Sequence, residues 1–299
     1  MRVLVTGASG RVGSVTAREF LEHGYQVRVL DKAPPPEDLR GRVETVYADL
    51  TDRLALMRAA EGCDCIAHLA AIPNPGRGSD DIITETNVVG TQFLLAAAEA
   101  HGIRRVALAS TCCTFGIFFA KHPFDPEYLP MDEDHPTKVQ DLYALSKLAN
   151  EETAAMYTRR TGMVTVCLRL TTVMDFGGEQ TNWHKRSLQR GNDWRAGDMW
   201  TYIEVRDAAR AFRLAVENPA EGSHVVIIAA RDSFTGQDIR DLVRKHYPGL
   251  ASFTDRIGPR DSLYVTTRAE RVMGFVAEHR WRDVPELADA AREYESANA

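Results

Sequence analysis

No apolar run in the sequence is long enough to cross a bilayer. Stretches such as 225–230 stop after six residues, against the ~20 that a spanning helix needs. Blocks of basic residues are missing too, and the formal net charge is −6. That balance leaves no electrostatic footprint for nucleic acid or an acidic lipid surface, so neither is expected as a partner. Cysteine is scarce, five in 299 residues, and no pair is spaced as CxxC. A zinc ribbon or dithiol redox motif is thereby excluded, and reduced thiols of a cytosolic protein are expected. Val3, Leu4 and Val5 run into Gly7 with no apolar region or cleavage site of the kind a secretory signal carries. The expected compartment is the cytoplasm. Repeats and low-complexity tracts are also lacking, and Pro34 to Pro36 form only a local loop.

What is present is ordinary for a soluble enzyme, 44% apolar and 26% charged. The length suffices for one large domain with a smaller lobe, or for two modest domains. Strand-like and helix-like segments alternate through the first two-thirds. Strands are predicted over 2–6, 26–31, 43–48, 65–69, 105–110 and 164–170, rich in Val, Ile and Leu as strands buried on both faces are. Helices with apolar residues at helical spacing are predicted over 12–22, 53–60, 82–100 and 142–160. This order specifies an α/β fold, a Rossmann-type doubly wound parallel sheet with a smaller C-terminal substrate lobe. Residues 175–197, rich in Gly, Trp, Arg and Asn, read as lobe loops. A helix is expected over 205–216, a strand over 224–230, and helices over 237–246 and from 285 onward. The predicted division is 1–170 plus 204–230 for the dinucleotide-binding body and 171–203 plus 231–299 for the lobe.

The first strand ends in Thr6-Gly7-Ala8-Ser9-Gly10-Arg11-Val12-Gly13. Three glycines where a strand turns into a helix permit a tight turn, close approach to a pyrophosphate, and helix-on-strand packing. The helix N-terminus adds unpaired N–H groups for the phosphates. Gly7, Gly10, Arg11, Val12 and Gly13 are therefore candidate cofactor contacts. Asp31 closes the second strand, where a carboxylate accepts both adenosine-ribose hydroxyls and repels a 2′-phosphate, favouring NAD over NADP. The adjacent Lys32 would soften that discrimination. Asp49 ends the third strand, either near the adenine amino group or as a helix N-cap before Arg53.

Tyr143-Ala144-Leu145-Ser146-Lys147 opens a long helix, and residues four apart share a helix face. A phenol titrating near ~10 is a poor base at neutrality, but a neighbouring ammonium and an oxidised nicotinamide both favour the phenolate. Lowering it by about three units takes ~4 kcal/mol. Thr111, at the carboxyl end of the fifth strand, supplies a hydroxyl that either orients a reacting oxygen or caps local backbone.

Together these residues resemble the extended short-chain dehydrogenase/reductase superfamily, in its NAD-dependent epimerase/dehydratase branch. The resemblance runs over nearly the whole chain. It includes Ala48-Asp49-Leu50, His68-Leu69-Ala70-Ala71, Thr86-Asn87-Val88-Val89-Gly90-Thr91, Leu168-Arg169 and Tyr202-Ile203-Glu204-Val205-Arg206-Asp207. It implies NAD as cofactor, Tyr143 as acid/base, Lys147 on the nicotinamide ribose and Thr111 as the catalytic hydroxyl. It adds Leu50, Leu69, Ala70, Ala71, Asn87 and Leu170 to the cofactor side, and Ile72, Cys112, Cys113, Thr172 and Trp200 to the substrate side. A homodimer through helices 82–100 and 142–160 is also implied.

The sequence departs from relatives that act on nucleotide sugars. They carry an asparagine after the Leu-Arg of the sixth strand and an arginine before Asp-Tyr-Ile, both on diphosphate. Here Leu170-Thr171-Thr172-Val173 follows Arg169, and the arginine slot holds Trp200. Lys185, Arg186, Arg190 and Arg195 either substitute or solvate a loop. Trp183 and Trp200 either wall a sugar ring or belong to the lobe core. Uronate dehydrogenases are similar in length but carry Asn-His where Cys112-Cys113 stand. The leading expectation is NAD-dependent hydride transfer at a hydroxyl of a sugar, sugar acid or similar small polyol ring. The alternatives are a nucleotide-sugar 4-epimerase and a non-catalytic dinucleotide-sensing regulator.

Overall fold

A computed structural model describes residues 1–298 apart from 179, 192 and 218. Its strands are β1 (Arg2–Thr6), β2 (Gln26–Asp31), β3 (Glu44–Tyr47), β4 (Cys65–His68), β5 (Arg105–Thr111), β6 (Val164–Leu170), β7 (Val173–Met174), β8 (Ile203–Glu204) and β9 (Ser223–Ile228). The helices are α1 (Arg11–Glu22), α2 (Arg53–Ala60), α3 (Asp80–Ile83), α4 (Gly90–Ala100), α5 (Leu142–Thr161), α6 (Thr181–Gln189), α7 (Val205–Glu217), α8 (Ile239–His246), α9 (Thr267–Met273) and α10 (Pro285–Asn298).

Seven strands form one parallel sheet in the order β3-β2-β1-β4-β5-β6-β9. This is a Rossmann-type α/β fold. Alternation along each strand sends side chains into two separate cores. On one face Val3, Val5 and Val29 pack with Phe20 of α1 and Phe212 of α7. On the other, Leu4, Ile66 and Val106 pack with Leu56 of α2, Leu94 of α4 and Tyr157 of α5. The strand order reverses between β1 and β4, and a crevice opens there at the carboxyl ends.

Two regions differ from expectation. The helix predicted over 82–100 is broken, with a π-helical segment (Thr84–Val89) between α3 and α4. The stretch read as loops holds α6, whose inward residues include His184, Ser187 and Leu188 and which packs against α10. Its buried face is mostly polar, so no apolar period announces it. Residues 179 and 192 of that stretch lie outside the described residues.

Candidate active site

The crevice is a cavity of about 900 Å³ that runs from the β1–α1 turn to the end of β5. At the first end, Gly7 has φ +77°, and a Cβ on it would lie 2.6 Å from the Ala70 nitrogen. A Cβ on Gly13 would lie 2.0 Å from the Gly7 carbonyl oxygen. Neither position accepts a side chain, so the turn is forced tight against the loop after β4. No side chain caps α1, whose N-cap is Gly10. Its first-turn N–H groups are thus available to an anion, and Gly10, Arg11, Val12 and Gly13 line the cavity. This glycine cradle and open helix end fit a dinucleotide pyrophosphate.

Asp31 lines the same end. Its carboxylate accepts the Ser9 N–H (2.9 Å) and the Ala33 N–H (3.2 Å), leaving further lone pairs for hydroxyls. Lys32, which also lines this end, pairs with Asp49 at 3.0 Å and not with Asp31. Asp49 also accepts the Thr51 N–H and hydroxyl, at 3.0 Å each. The Thr51 N–H first, then the Lys32 ammonium and the Thr51 hydroxyl, hold its carboxyl below the ordinary range. The N-cap of α2 is Asp52, not Asp49. Leu50, Leu69, Ala70, Ala71 and Leu170 complete the wall.

At the other end the structure brings Thr111, Tyr143 and Lys147 together. Asp141 starts α5 by accepting the Ala144 N–H at 2.8 Å, which sets Tyr143 on the first turn and Lys147 one turn on. Thr111 Oγ1 accepts the Cys113 N–H at 3.1 Å, and Tyr143, 8% exposed, lines the same end of the cavity. Burial, with the Cys113 sulfur nearby, pushes the Tyr143 phenol well above its usual value, and the Thr111 hydroxyl opposes this only in part. The Lys147 ammonium lies 6.0 Å from the ring centroid and donates to the Ala109 carbonyl at 3.0 Å. Burial brings Lys147 itself down to about 8.

Behind this floor, Arg169 forks onto Glu151 (3.0 and 2.8 Å), and Ser110 donates to the same carboxylate at 2.5 Å. This buried pair ties α5 to β5 and β6, fixing the height of the Tyr143 helix. Cys112 and Cys113 line the cavity, with Cys112 Sγ donating to the Arg169 carbonyl at 3.3 Å. Burial pushes both thiols up, Cys113 to about 12, so neither is poised as a nucleophile. Ile72 and Thr172 also line this end.

Two assignments need correction. Asn87 is buried under the cleft instead of lining it. Its side chain accepts the Ile72 N–H (2.8 Å) and donates to the Ile72 carbonyl (3.1 Å) and to Ser146 Oγ (3.0 Å). The π turn aims it there, so it positions the wall without touching the cavity. Trp200 is fully buried in the lobe core with Met199 and Tyr247, so it offers no face to the cleft. Lys185, Arg186, Arg190 and Arg195 do not line the cleft either. Arg186 and Arg190 border a separate groove with Trp183, and Arg195 is buried on Asp198.

Sequence reasoning passed over Ile117, Phe118, Phe119, Asp198 and Tyr264, which all line the substrate end. They come from loops and from the far lobe, where no period or motif marks them.

The family model of the NAD dependent epimerase/dehydratase family matches residues 3–229. The chain belongs to this family. It is therefore an NAD-dependent enzyme of the epimerase/dehydratase type, and its expected family is borne out. A UDP-glucose 4-epimerase of Corynebacterium glutamicum is 26% identical, covering 93% of this chain and 92% of that one. A 2-alkyl-3-oxoalkanoate reductase of Stenotrophomonas maltophilia is 32% identical over 94% and 83%. A uronate dehydrogenase of Pseudomonas syringae pv. tomato is 26% identical over 78% and 76%. Among solved structures, a short-chain dehydrogenase/reductase superfamily protein from Agrobacterium tumefaciens with bound NAD shares the fold. It has a TM-score of 0.70 at 24% identity, over 100% of this chain and 98% of that one.

Proposed function

We propose that the protein oxidises, or in reverse forms, a secondary hydroxyl on a sugar, sugar acid or similar small polyol ring, with NAD as the hydride partner. The observation that carries this is the convergence of Thr111, Tyr143 and Lys147 at the end of a cleft whose other end is a glycine cradle with Asp31. In this reading 1–170 and 204–230 hold the dinucleotide, and 171–203 with 231–299 cover the substrate. Gly7, Gly10, Arg11, Val12 and Gly13 would hold the pyrophosphate, Asp31 the adenosine ribose, and Lys147 the nicotinamide ribose. When bound, the nicotinamide accepts or returns the hydride of the carbinol carbon.

The chain's own part is the proton. In oxidation Tyr143 Oη, as the phenolate that the Lys147 ammonium and an oxidised nicotinamide would favour, takes the hydroxyl proton as the C–H bond breaks and the C=O bond forms; in reduction the neutral phenol returns that proton. Thr111 orients the substrate oxygen. The raised phenol suits the acid role, and burial of Lys147 on the Ala109 carbonyl keeps a cation in reserve one turn below. The nucleotide-sugar reading is disfavoured by the lack, among the described residues, of a free cation for the diphosphate in this wall. The arginine slot holds a buried tryptophan, and Arg195 nearby is paired with Asp198. The assembly we propose is a homodimer through α4 and α5.

Purified protein with NAD and a panel of free sugars, uronates and nucleotide sugars tests this by NADH absorbance and product analysis. Turnover is expected with free rings. Tyr143→Phe should cut turnover by ~10²-fold or more while NADH binding survives. A Tyr143→Phe variant with full activity, or turnover confined to nucleotide sugars, refutes the reading.

A further inference from the structure

The substrate end of the cleft is lined by Ile117, Phe118 and Phe119, together with Ile72 and Tyr264. Phe119 meets the Tyr143 ring edge-on at a centroid distance of 6.3 Å, and Phe118 meets Phe119 at 4.6 Å. Phe118 is 43% exposed, a large apolar surface beside the reacting phenol. This wall is anchored. Gly116, φ +85°, sits where a Cβ would lie 2.1 Å from the Lys138 carbonyl oxygen, so the turn begins pinned against the returning chain. Beyond it, the His122 backbone exchanges two hydrogen bonds with the Gln140 side chain, at 2.9 and 3.0 Å. Across the gap the lobe's turn comes close, with a Cβ on Gly197 falling 3.8 Å from the Phe118 carbonyl oxygen.

The polar groups at this end are largely engaged with one another. Asp198 accepts from Arg195, from the Trp200 N–H (3.0 Å) and from the Thr172 hydroxyl (3.2 Å). Thr201 donates to the Asp198 carbonyl at 2.7 Å, and Thr171 to the Ile228 carbonyl at 3.2 Å. Arg195 is thus held by Asp198 and extends no charge to a substrate. Arg77 stands exposed at the rim. An anionic substituent entering the lobe would lose its hydration against aromatic rings and find Arg195 already paired with Asp198.

We infer that the substrate is a neutral hydroxylated ring bearing an apolar substituent or face, such as a deoxy sugar or an alkyl-substituted cyclic alcohol, held against Phe118 and Phe119. The inference rests on the hydride-transfer reading and narrows it, taking sugar acids out of the substrate class. Phe118 is the residue that sets the preference, because its exposed ring gains most from a substrate that covers it.

Three hexoses that differ only at the C5 substituent isolate this property: D-fucose (methyl), D-galactose (hydroxymethyl) and D-galacturonate (carboxylate). D-quinovose, D-glucose and D-glucuronate repeat the series at the other C4 configuration. Turnover is followed with NAD, and binding by calorimetry to protein saturated with NADH. The expected order in kcat/KM and affinity is methyl, hydroxymethyl, carboxylate, with about tenfold or more between the extremes. Phe118→Ala should collapse the methyl preference about fivefold while leaving NADH affinity unchanged. A preference for the carboxylates, or an order that Phe118→Ala does not alter, overturns the inference and leaves hydride transfer standing. Ordered binding with no turnover supports the inference and overturns hydride transfer. The absence of both binding and turnover across the two series overturns both.

Discussion

Lys147 shows how a single burial sets both chemistry and stability. It is 5% exposed and titrates at about 8, against 10.5 when free. Between these values the unfolded chain binds the proton and the native chain does not, so stability rises with pH across that window. Below about 8 both states are charged, and the full burden of the buried ammonium is present. Measured against Lys147→Met, whose side chain does not titrate, wild-type stability should therefore gain about 3 kcal/mol between pH 8 and 10.5. Urea unfolding of both proteins across that range gives the difference directly, and a flat difference refutes the depressed value. Asp31 makes a second residue-scale prediction. Asp31→Ala removes an acceptor and a repulsion together, so NAD should weaken by about 10–100-fold and NADP by less. Calorimetry that finds the unmutated protein already favouring NADP would defeat the assignment.

At the scale of elements, what could be read depended on whether packing or polar geometry specifies the segment. The expected bounds of β1, β2 and β6 match those observed, because strands buried on both faces are written as short runs of Val, Ile and Leu between turn residues. The glycine turn and the Tyr143–Lys147 spacing were legible for the same reason: each is local. The π turn at 84–89 was not, since its extra residue per turn leaves the apolar pattern of a continuous helix nearly intact. The cost was the role of Asn87, visible only once the turn aims its amide at Ile72. Phe118 and Asp198 escaped because chain folding, not spacing, carries them to the cleft. Asn87→Ala should leave the Ile72 N–H and carbonyl without their buried partner and destabilise the protein by about 2–4 kcal/mol. Asn87→Asp keeps the acceptor and should fall between. If denaturant midpoints place Asn87→Ala within about 0.5 kcal/mol of wild type, the positioning role is wrong.

At the scale of the whole molecule, the helices on one face of the sheet leave apolar side chains outside the core. The inner faces of α4 and α5 are satisfied by the sheet, through Leu94, Leu95, Ala154 and Tyr157. Next to them α3 exposes Ile82 (47%), the π turn Val89 (37%) and α5 itself Leu145 (46%), in three elements that pack against one another. The ion pair of Glu99 with Arg160 joins α4 to α5 farther along. Such a stripe, rimmed by charge, suits a two-fold contact in which each residue meets the same surface on a second copy. The π turn and the Tyr143 helix both border this surface, so pairing would also brace the cleft from outside. Analytical ultracentrifugation at micromolar concentration should report twice the chain mass. Leu145→Glu places one carboxylate from each copy near the axis, and it should yield a folded monomer with lower thermal stability and reduced turnover. A wild-type monomer at that concentration, or a Leu145→Glu protein that remains dimeric, would show that these helices are not the interface.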